Sequence, residues 1–273
     1  MNQAIGVIDS GVGGLTVAHE LMRQLPRENL IYLGDTLRCP YGPRSEDEVK
    51  QFTWEMVDFL LHQDIKMLVI ACNTATAFTL NELQTQLSIP VIGVINPGAR
   101  AAIKSTKHNH IGVIGTEGTI RSNAYTEALL GINANIQVSP LPCPLFVPMV
   151  EQGILSGHKA EDIAAKSLEP LKAKNDIDTL ILGCTHYPLI KDTIQTIIGS
   201  EVTLISSSEE TAREASTILE FNDLLNGGRE TPAHQFYTTG DMAMFAKITE
   251  GIFRESSDSF QSVMIEKAII SNP

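Results

Sequence analysis

The chain repeats itself, and that repeat limits its fold more than any other feature. "IGVIDSGVGG" from Ile5 returns as "IGVIGTEGTI" from Ile111, an offset of 106 residues. "ACNT" around Cys72 returns as "GCTH" around Cys184, an offset of 112, and "ARAA" from Ala99 returns as "AREA" from Ala212, an offset of 113. Three matches in one order at nearly one spacing indicate two similar halves. Short β-branched runs alternate with longer amphipathic segments, the pattern of parallel strands covered by helices. Strands are predicted at 4–9, 29–34, 66–71, 91–94, 110–115, 136–139, 178–183, 202–205 and 235–238. Ser45 and Glu48 form a capping box. Gly131 is read as the stop of a helix that begins near Glu117, and Pro188 suits the first turn of the helix after Cys184. "INPG" (Ile95 to Gly98) and "SSSEE" (Ser206 to Glu210) read as turn-rich crossings. The first half is then 1–96 plus 207–273, and the second 97–206.

The expected fold class is α/β: two similar three-layer α/β/α halves with mostly parallel sheets, related by a pseudo-twofold, with the active site in the cleft between them. Ligands of open α/β sheets collect at the carboxyl ends of strands. Asp9-Ser10, Cys72-Asn73-Thr74, Gly115-Thr116 and Cys184-Thr185-His186 all fall at such ends.

Composition narrows the partners. A chain of 273 residues, 43% apolar, can bury a sizeable core. Its formal charge of −12 argues against nucleic acid or an anionic membrane surface, both of which require clustered Lys and Arg. A small anion held by backbone N–H groups remains compatible with that charge. No run approaches the roughly 18 apolar residues of a membrane span. The short N-terminal apolar run has no basic segment ahead of it, which predicts no secretory leader and a cytoplasmic location.

Four cysteines (Cys39, Cys72, Cys143, Cys184) at these spacings predict neither a disulfide framework nor a zinc site. His108 and His110, in "STKHNH", read as a solvated loop rather than a metal site, and no metal is expected. Cys39 and Cys143, each before a proline in unlike contexts, are assigned packing or loop roles. Cys72 and Cys184 differ because they are repeat-equivalent, end strands and precede helix starts, where a thiolate is favoured. One such cysteine with His186 would suggest a nucleophile. Two suggest inversion of a carbon centre, one thiolate removing a proton from one face while a thiol delivers another to the opposite face. Asp9 and His186 stand beside them in sequence, and Glu151 in "MVEQG" is a further candidate acid. A cap for the next helix is the plainer reading of Asp9-Ser10.

"IGVIDSGVGGLTV", "YLGDTLRCPYGPRS", "ACNTATA" and "LGCTHYPL" together resemble the glutamate racemases, cofactor-independent enzymes that interconvert L- and D-glutamate. The resemblance runs from residue 5 to residue 189. It implies that Cys72 and Cys184 are the two acid/base residues, supported by Asp9, Glu151 and His186. It also implies substrate contacts from Asp9, Ser10, Tyr41, Gly42, Asn73, Thr74, Thr116, Thr119, Thr185 and His186. No cofactor is expected, the substrate is L- or D-glutamate, and D-glutamate would serve peptidoglycan synthesis. A homodimer is expected as well.

Three rival readings follow from the same residues. Gly11, Gly13 and Gly14 after the first strand, with Asp35 as a ribose hook, suggest a dinucleotide-binding oxidoreductase, although Thr16 stands where the third glycine belongs. A pyridoxal-phosphate racemase needs a Schiff-base lysine at the ligand end of a strand, and Lys66 lies at the other end of its strand. A two-lobed amino-acid-binding protein would explain two halves but leaves the thiols without purpose.

Overall fold

The computed structural model describes residues 2–174, 176–228, 231–253 and 263–270. It divides into two units, Met1–Val94 with Ser208–Pro273, and Ile95–Ser207. The first unit runs β1 (Ala4–Asp9), α1 (Leu15–Gln24), β2 (Leu30–Gly34), α2 (Glu46–Leu61), β3 (Ile65–Ile70), α3 (Asn73–Gln86) and β4 (Val91–Gly93). The second runs α4 (Ile95–Ser105), β5 (His110–Gly115), α5 (Glu117–Arg121), α6 (Ala124–Ile132), β6 (Gln137–Pro142) and α7 (Phe146–Glu151). It continues through α8 (His158–Lys172), β7 (Thr179–Gly183), a 3-10 turn (Tyr187–Ile190), α9 (Lys191–Ile198) and β8 (Thr203–Ile205). The chain then returns to the first unit with α10 (Ser207–Phe221), β9 (His234–Thr238), α11 (Met242–Phe253) and β10 (Val263–Lys267).

Strand order is β10-β9-β2-β1-β3-β4 in the first unit and β6-β5-β7-β8 in the second. Every pair is parallel. The order β2-β1-β3-β4 is therefore matched by β6-β5-β7-β8, and the sequence echo is an echo of topology. β1 and β3 are buried along their whole length, as strands covered on both faces must be. Alternate residues feed two cores. Ile5, Val7, Met67 and Val69 pack with α1, α10 and α11, while Ile8, Leu68 and Ile70 pack with α2 and α3. In the second unit Ile114, Leu180 and Leu182 pack with residues of α7, α8 and α9.

Several expectations require correction. "INPG" is the first turn of α4 rather than a turn between elements; Pro97 is tolerated there because first-turn N–H groups have no helical partner. "SSSEE" likewise opens α10. The helix expected from Glu117 to Gly131 is two helices, broken where Ser122 Oγ bonds the Thr119 carbonyl at 2.7 Å and Asn123 takes a left-handed φ of 57°. Gly131 lies inside α6, whose cap is Asn133. β6 continues through Pro140 to Pro142 instead of ending at 139, which an edge strand permits. β10 was not anticipated.

His110 is also unlike its expectation. It opens β5, is 2% exposed, and spans Ser139 Oγ (2.8 Å) and the Asp176 carboxylate (2.9 Å), whereas His108 is exposed. No helix among the described residues is long and apolar enough to cross a membrane.

Candidate active site

In the first unit the strand ends of β1 and β3 lie side by side. β3 stops at Ile70, Ala71 N–H donates to the Ile8 carbonyl (2.9 Å), and Cys72 becomes the N-cap of α3. Its sulfur accepts the Ala75 N–H at 3.4 Å, and its thiol donates to Ser10 Oγ at 3.5 Å. The helix can begin this close to the sheet because its first turn carries small residues. Asn73, Thr74, Ala75 and Thr76 are all buried, and a Cβ at Gly93 would overlap Thr76.

Asp9 ends β1 fully buried, and its Oδ2 accepts the Gly11 N–H at 3.0 Å. It caps no helix, because α1 starts at Gly14 without a side-chain cap. The glycines instead allow the loop to close on Asp9. A Cβ on Gly14 would lie 2.5 Å from Asp9 Cβ, and Tyr32 Oη donates to the Gly11 carbonyl at 2.8 Å. Asp35, the ribose hook of the oxidoreductase reading, is committed elsewhere, accepting Thr239 Oγ1 (2.8 Å), Arg38 Nε (2.6 Å) and the Tyr41 hydroxyl (2.5 Å). Lys66, at the opening end of β3, is buried against Glu28 at 2.5 Å and bonds the Leu224 carbonyl at 2.7 Å. Tyr41 packs in the same core as Cys72, and Gly42 beside it is buried. With its hydroxyl on Asp35, the Tyr41–Gly42 segment has backbone to offer a ligand.

The second unit builds its thiol differently. Gly115 and Gly183 are register partners, so Thr116 and Cys184 follow neighbouring strand ends. Thr116 caps α5, its Oγ1 accepting the Thr119 N–H at 3.3 Å and lying 3.1 Å from Thr119 Oγ1. A side chain at Gly183 is excluded by the Ile114 carbonyl (2.7 Å) and the Tyr125 ring (3.1 Å). Cys184 is not a helix N-cap. Thr185 and His186 intervene before the 3-10 turn, which Tyr187 anchors by donating to the Cys143 carbonyl at 3.1 Å and meeting Phe146 edge-on.

His186 is 2% exposed, with Nδ1 3.8 Å from the Cys184 sulfur and Nε2 2.5 Å from Glu151 Oε1. Burial opposes charge on this ring, but the hydrogen bonds to Cys184 and Glu151, with their charges, outweigh it and push its pKa up to about 10. Glu151, the last residue of α7, is about a third exposed. The unit thus holds a carboxylate–imidazole–thiol line in which the imidazole bridges acid and sulfur, a geometry chemically able to pass a proton. Cys143 lies outside it. Burial, and secondarily the nearby Cys184, push its thiol up to about 12, so it stays protonated and packs. Cys39 is half-buried, and none of the four cysteines is bridged.

The sequence-named residues therefore assemble as two sets, Asp9, Ser10, Tyr41, Gly42, Cys72, Asn73 and Thr74 in one unit, and Thr116, Thr119, Glu151, Cys184, Thr185 and His186 in the other. Sequence reasoning passed over Arg38 and Thr239, which bond Asp35, and Glu55, which bonds Arg38. Arg38 stands inside the motif "YLGDTLRCPYGPRS", three residues after Asp35, and that spacing was the available signal.

Known proteins resemble this chain along nearly its whole length. The family model for Asp/Glu/hydantoin racemases matches residues 5–215. A glutamate racemase of Oceanobacillus iheyensis is 65% identical over 271 residues, covering 99% of this chain and 98% of that protein. The crystal structure of a glutamate racemase isoform from Bacillus anthracis superposes with a TM-score of 0.91 at 50% identity, covering 98% of each chain. That of the Francisella tularensis glutamate racemase, solved with D-glutamate, gives 0.88 at 39% identity, covering 99% of this chain and 98% of that one. Two parallel α/β units with matching topology and this degree of identity place the chain in the Asp/Glu/hydantoin racemase family, among its glutamate racemases.

Proposed function

We propose that the protein interconverts L- and D-glutamate by a cofactor-independent 1,1-proton transfer with Cys72 and Cys184 as its two bases. The observation that carries this reading is that equivalent strands, β3 and β7, are each followed within two residues by a cysteine with its own hydrogen-bond partners. In one direction the Cys72 thiolate takes the α-hydrogen of D-glutamate as a proton, the electron pair passes into the α-carboxylate, and the Cys184 thiol delivers a proton to the opposite face. The reverse direction exchanges their roles, so the enzyme that has finished one turnover is set for the other enantiomer. Asp9 assists on the Cys72 side; His186 and Glu151 assist on the Cys184 side. Ser10, Asn73, Thr74, Thr116, Thr119, Thr185 and the backbone of Tyr41–Gly42 hold the substrate carboxylates by hydrogen bonds rather than by a cationic cluster.

The two halves, 1–96 with 207–273 and 97–206, then contribute one base each. A cytoplasmic homodimer supplying D-glutamate to peptidoglycan synthesis completes the proposal. Polarimetry tests it: purified protein, dialysed against chelator and given D-glutamate alone, is expected to bring optical rotation to zero. A constant rotation contradicts the reading.

A further inference from the structure

The first unit contains a buried ionic cluster that proton transfer does not use. Asp35 follows β2 directly, and its N–H donates to the Asp9 carbonyl at 2.9 Å, which ties it to the strand end carrying Asp9. Its carboxylate is fully buried and takes the three donors named above, from Thr239 after β9 and from Arg38 and Tyr41 in the loop after β2. Arg38 reaches on to Glu55 of α2, whose other oxygen accepts Gln51 Nε2 at 3.0 Å. The Arg38 guanidinium also lies 4.0 Å from the centre of the Phe52 ring, with that of Arg44 5.1 Å from the same centre. Arg44 closes the loop on itself, its Nε and Nη2 donating to the Arg38 carbonyl at 3.1 and 2.9 Å.

Two buried carboxylates sharing a largely buried guanidinium are an expensive way to stabilise a fold, since apolar side chains of similar volume do as well or better. What such a network provides is one geometry. The bonds of Asp35, Arg38, Tyr41 and Arg44 constrain the segment from Asp35 to Arg44, which carries Tyr41 into the core where Cys72 lies, with Gly42 buried beside it. The Tyr41 ring is held from both ends, by Asp35 at its hydroxyl and by Phe52 at 5.7 Å between ring centres.

We infer that Asp35, Arg38 and Glu55 are positioning residues for the Tyr41–Gly42 backbone, and that they set substrate affinity rather than the rate of proton transfer. The inference rests on the racemase reading above, in which that backbone holds a substrate carboxylate. Burial first, and Asp35 second, push the Tyr41 phenol well above its ordinary pKa, in keeping with a hydroxyl that donates to Asp35 and takes no part in acid/base chemistry. A carboxylate contact is made alike in ground and transition states, so loosening it raises KM and spares kcat.

Steady-state kinetics on Tyr41→Phe, Glu55→Gln and the double variant, in both directions and across pH, test the inference. Loss of the hydrogen bond to Asp35 should raise KM about tenfold for each enantiomer, the scale of a bond to a charged group. The value of kcat should stay within about threefold, and the limbs of the pH profile should not move. Glu55→Gln should raise KM less, and the double variant should fall short of the product of the two effects, because both act through Arg38 and Asp35. A merely structural role would lower the active fraction, reducing kcat at constant KM. That result, an unchanged KM of any kind, or a displaced pH limb would overturn the inference. Racemisation absent from the unsubstituted protein would instead overturn the function on which it rests, and the inference with it.

Discussion

Cys72 and Cys184 occupy equivalent strand ends, yet the hydrogen-bond partners described for their sulfurs differ in kind. Cys72 caps a helix of fourteen residues; a backbone N–H and a serine hydroxyl meet its sulfur. Cys184 has no such helix, and its described partner is a buried imidazole backed by a carboxylate. The first arrangement is built from fixed dipoles and the second from a titratable relay. The two units therefore share the position of the thiols but not their electrostatic support. A consequence is that the two sides should respond differently to substitution and to pH.

The largest effects belong to the thiols themselves. Either Cys72→Ser or Cys184→Ser should lower racemisation by about a thousandfold or more, since a serine hydroxyl is too weak an acid to replace the thiol. Elimination of chloride from 3-chloroglutamate needs only one base and so separates the sides. Cys184→Ser should keep elimination from the D-configured analogue and lose it from the L-configured one, with Cys72→Ser the reverse. Equal elimination of both enantiomers by either variant would mean that one base reaches both faces.

His186→Asn comes next, with an expected loss of about 100-fold, the lower end of the range for acid/base assistance. Enantiomers have equal free energy, so kcat/KM must fall equally in the two directions and racemisation alone cannot reveal the asymmetry. Elimination can: the variant should slow reaction of the L-configured analogue more than the D-configured one. Equal slowing of both would erase the distinction drawn between the units.

The smallest effect is on stability, and it has opposite signs in the two units. His186 has a folded pKa of about 10 against an ordinary 6.5. The folded protein therefore holds a proton that the unfolded chain releases between those values, and its contribution is complete below 6.5 and lost as pH rises through 10. His234 of β9 is pulled down to about 4 by burial, while its Nδ1 accepts the Leu30 N–H at 3.2 Å. Here the unfolded chain binds the extra proton, so the contribution is complete above 6.5 and lost as pH falls through 4. Urea midpoints measured against pH should show the His186→Asn difference shrinking on the alkaline side and the His234→Gln difference shrinking on the acid side. Differences independent of pH would contradict both assignments.

Much of the fold was legible because its strands are short apolar runs bounded by glycine and polar residues, and because the repeat supplied β1 to β4 with counterparts in β5 to β8. Where side chains compete with the backbone, the pattern misled. Ser122 and Asn123 divide a continuous helical periodicity in two, and the serines and proline that read as turns at 95–98 and 206–210 open helices instead. β10 has neither a repeat partner nor a long apolar run to mark it. The candidate residues at strand ends were named from position, Glu151 as a further candidate acid, and Tyr41, Gly42 and Thr119 by resemblance alone. The contact of Glu151 with His186 joins residues 35 apart, and no local pattern encodes that. The Asp35 cluster was hidden for the same reason, since Glu55 and Thr239 reach it from α2 and from the end of β9.

The central claim, two bases on opposite faces of one carbon, is tested most directly by proton inventory at low conversion in heavy water. D-Glutamate incubated with the protein in deuterium oxide should yield L-glutamate carrying one α-deuterium per molecule, while the D-glutamate still present keeps its protium, as read by chiral separation and mass spectrometry. The same asymmetry should appear when the reaction starts from L-glutamate. Product that retains the substrate's own α-hydrogen, or deuterium entering both enantiomers equally from the start, would show a single base serving both faces and would contradict the account.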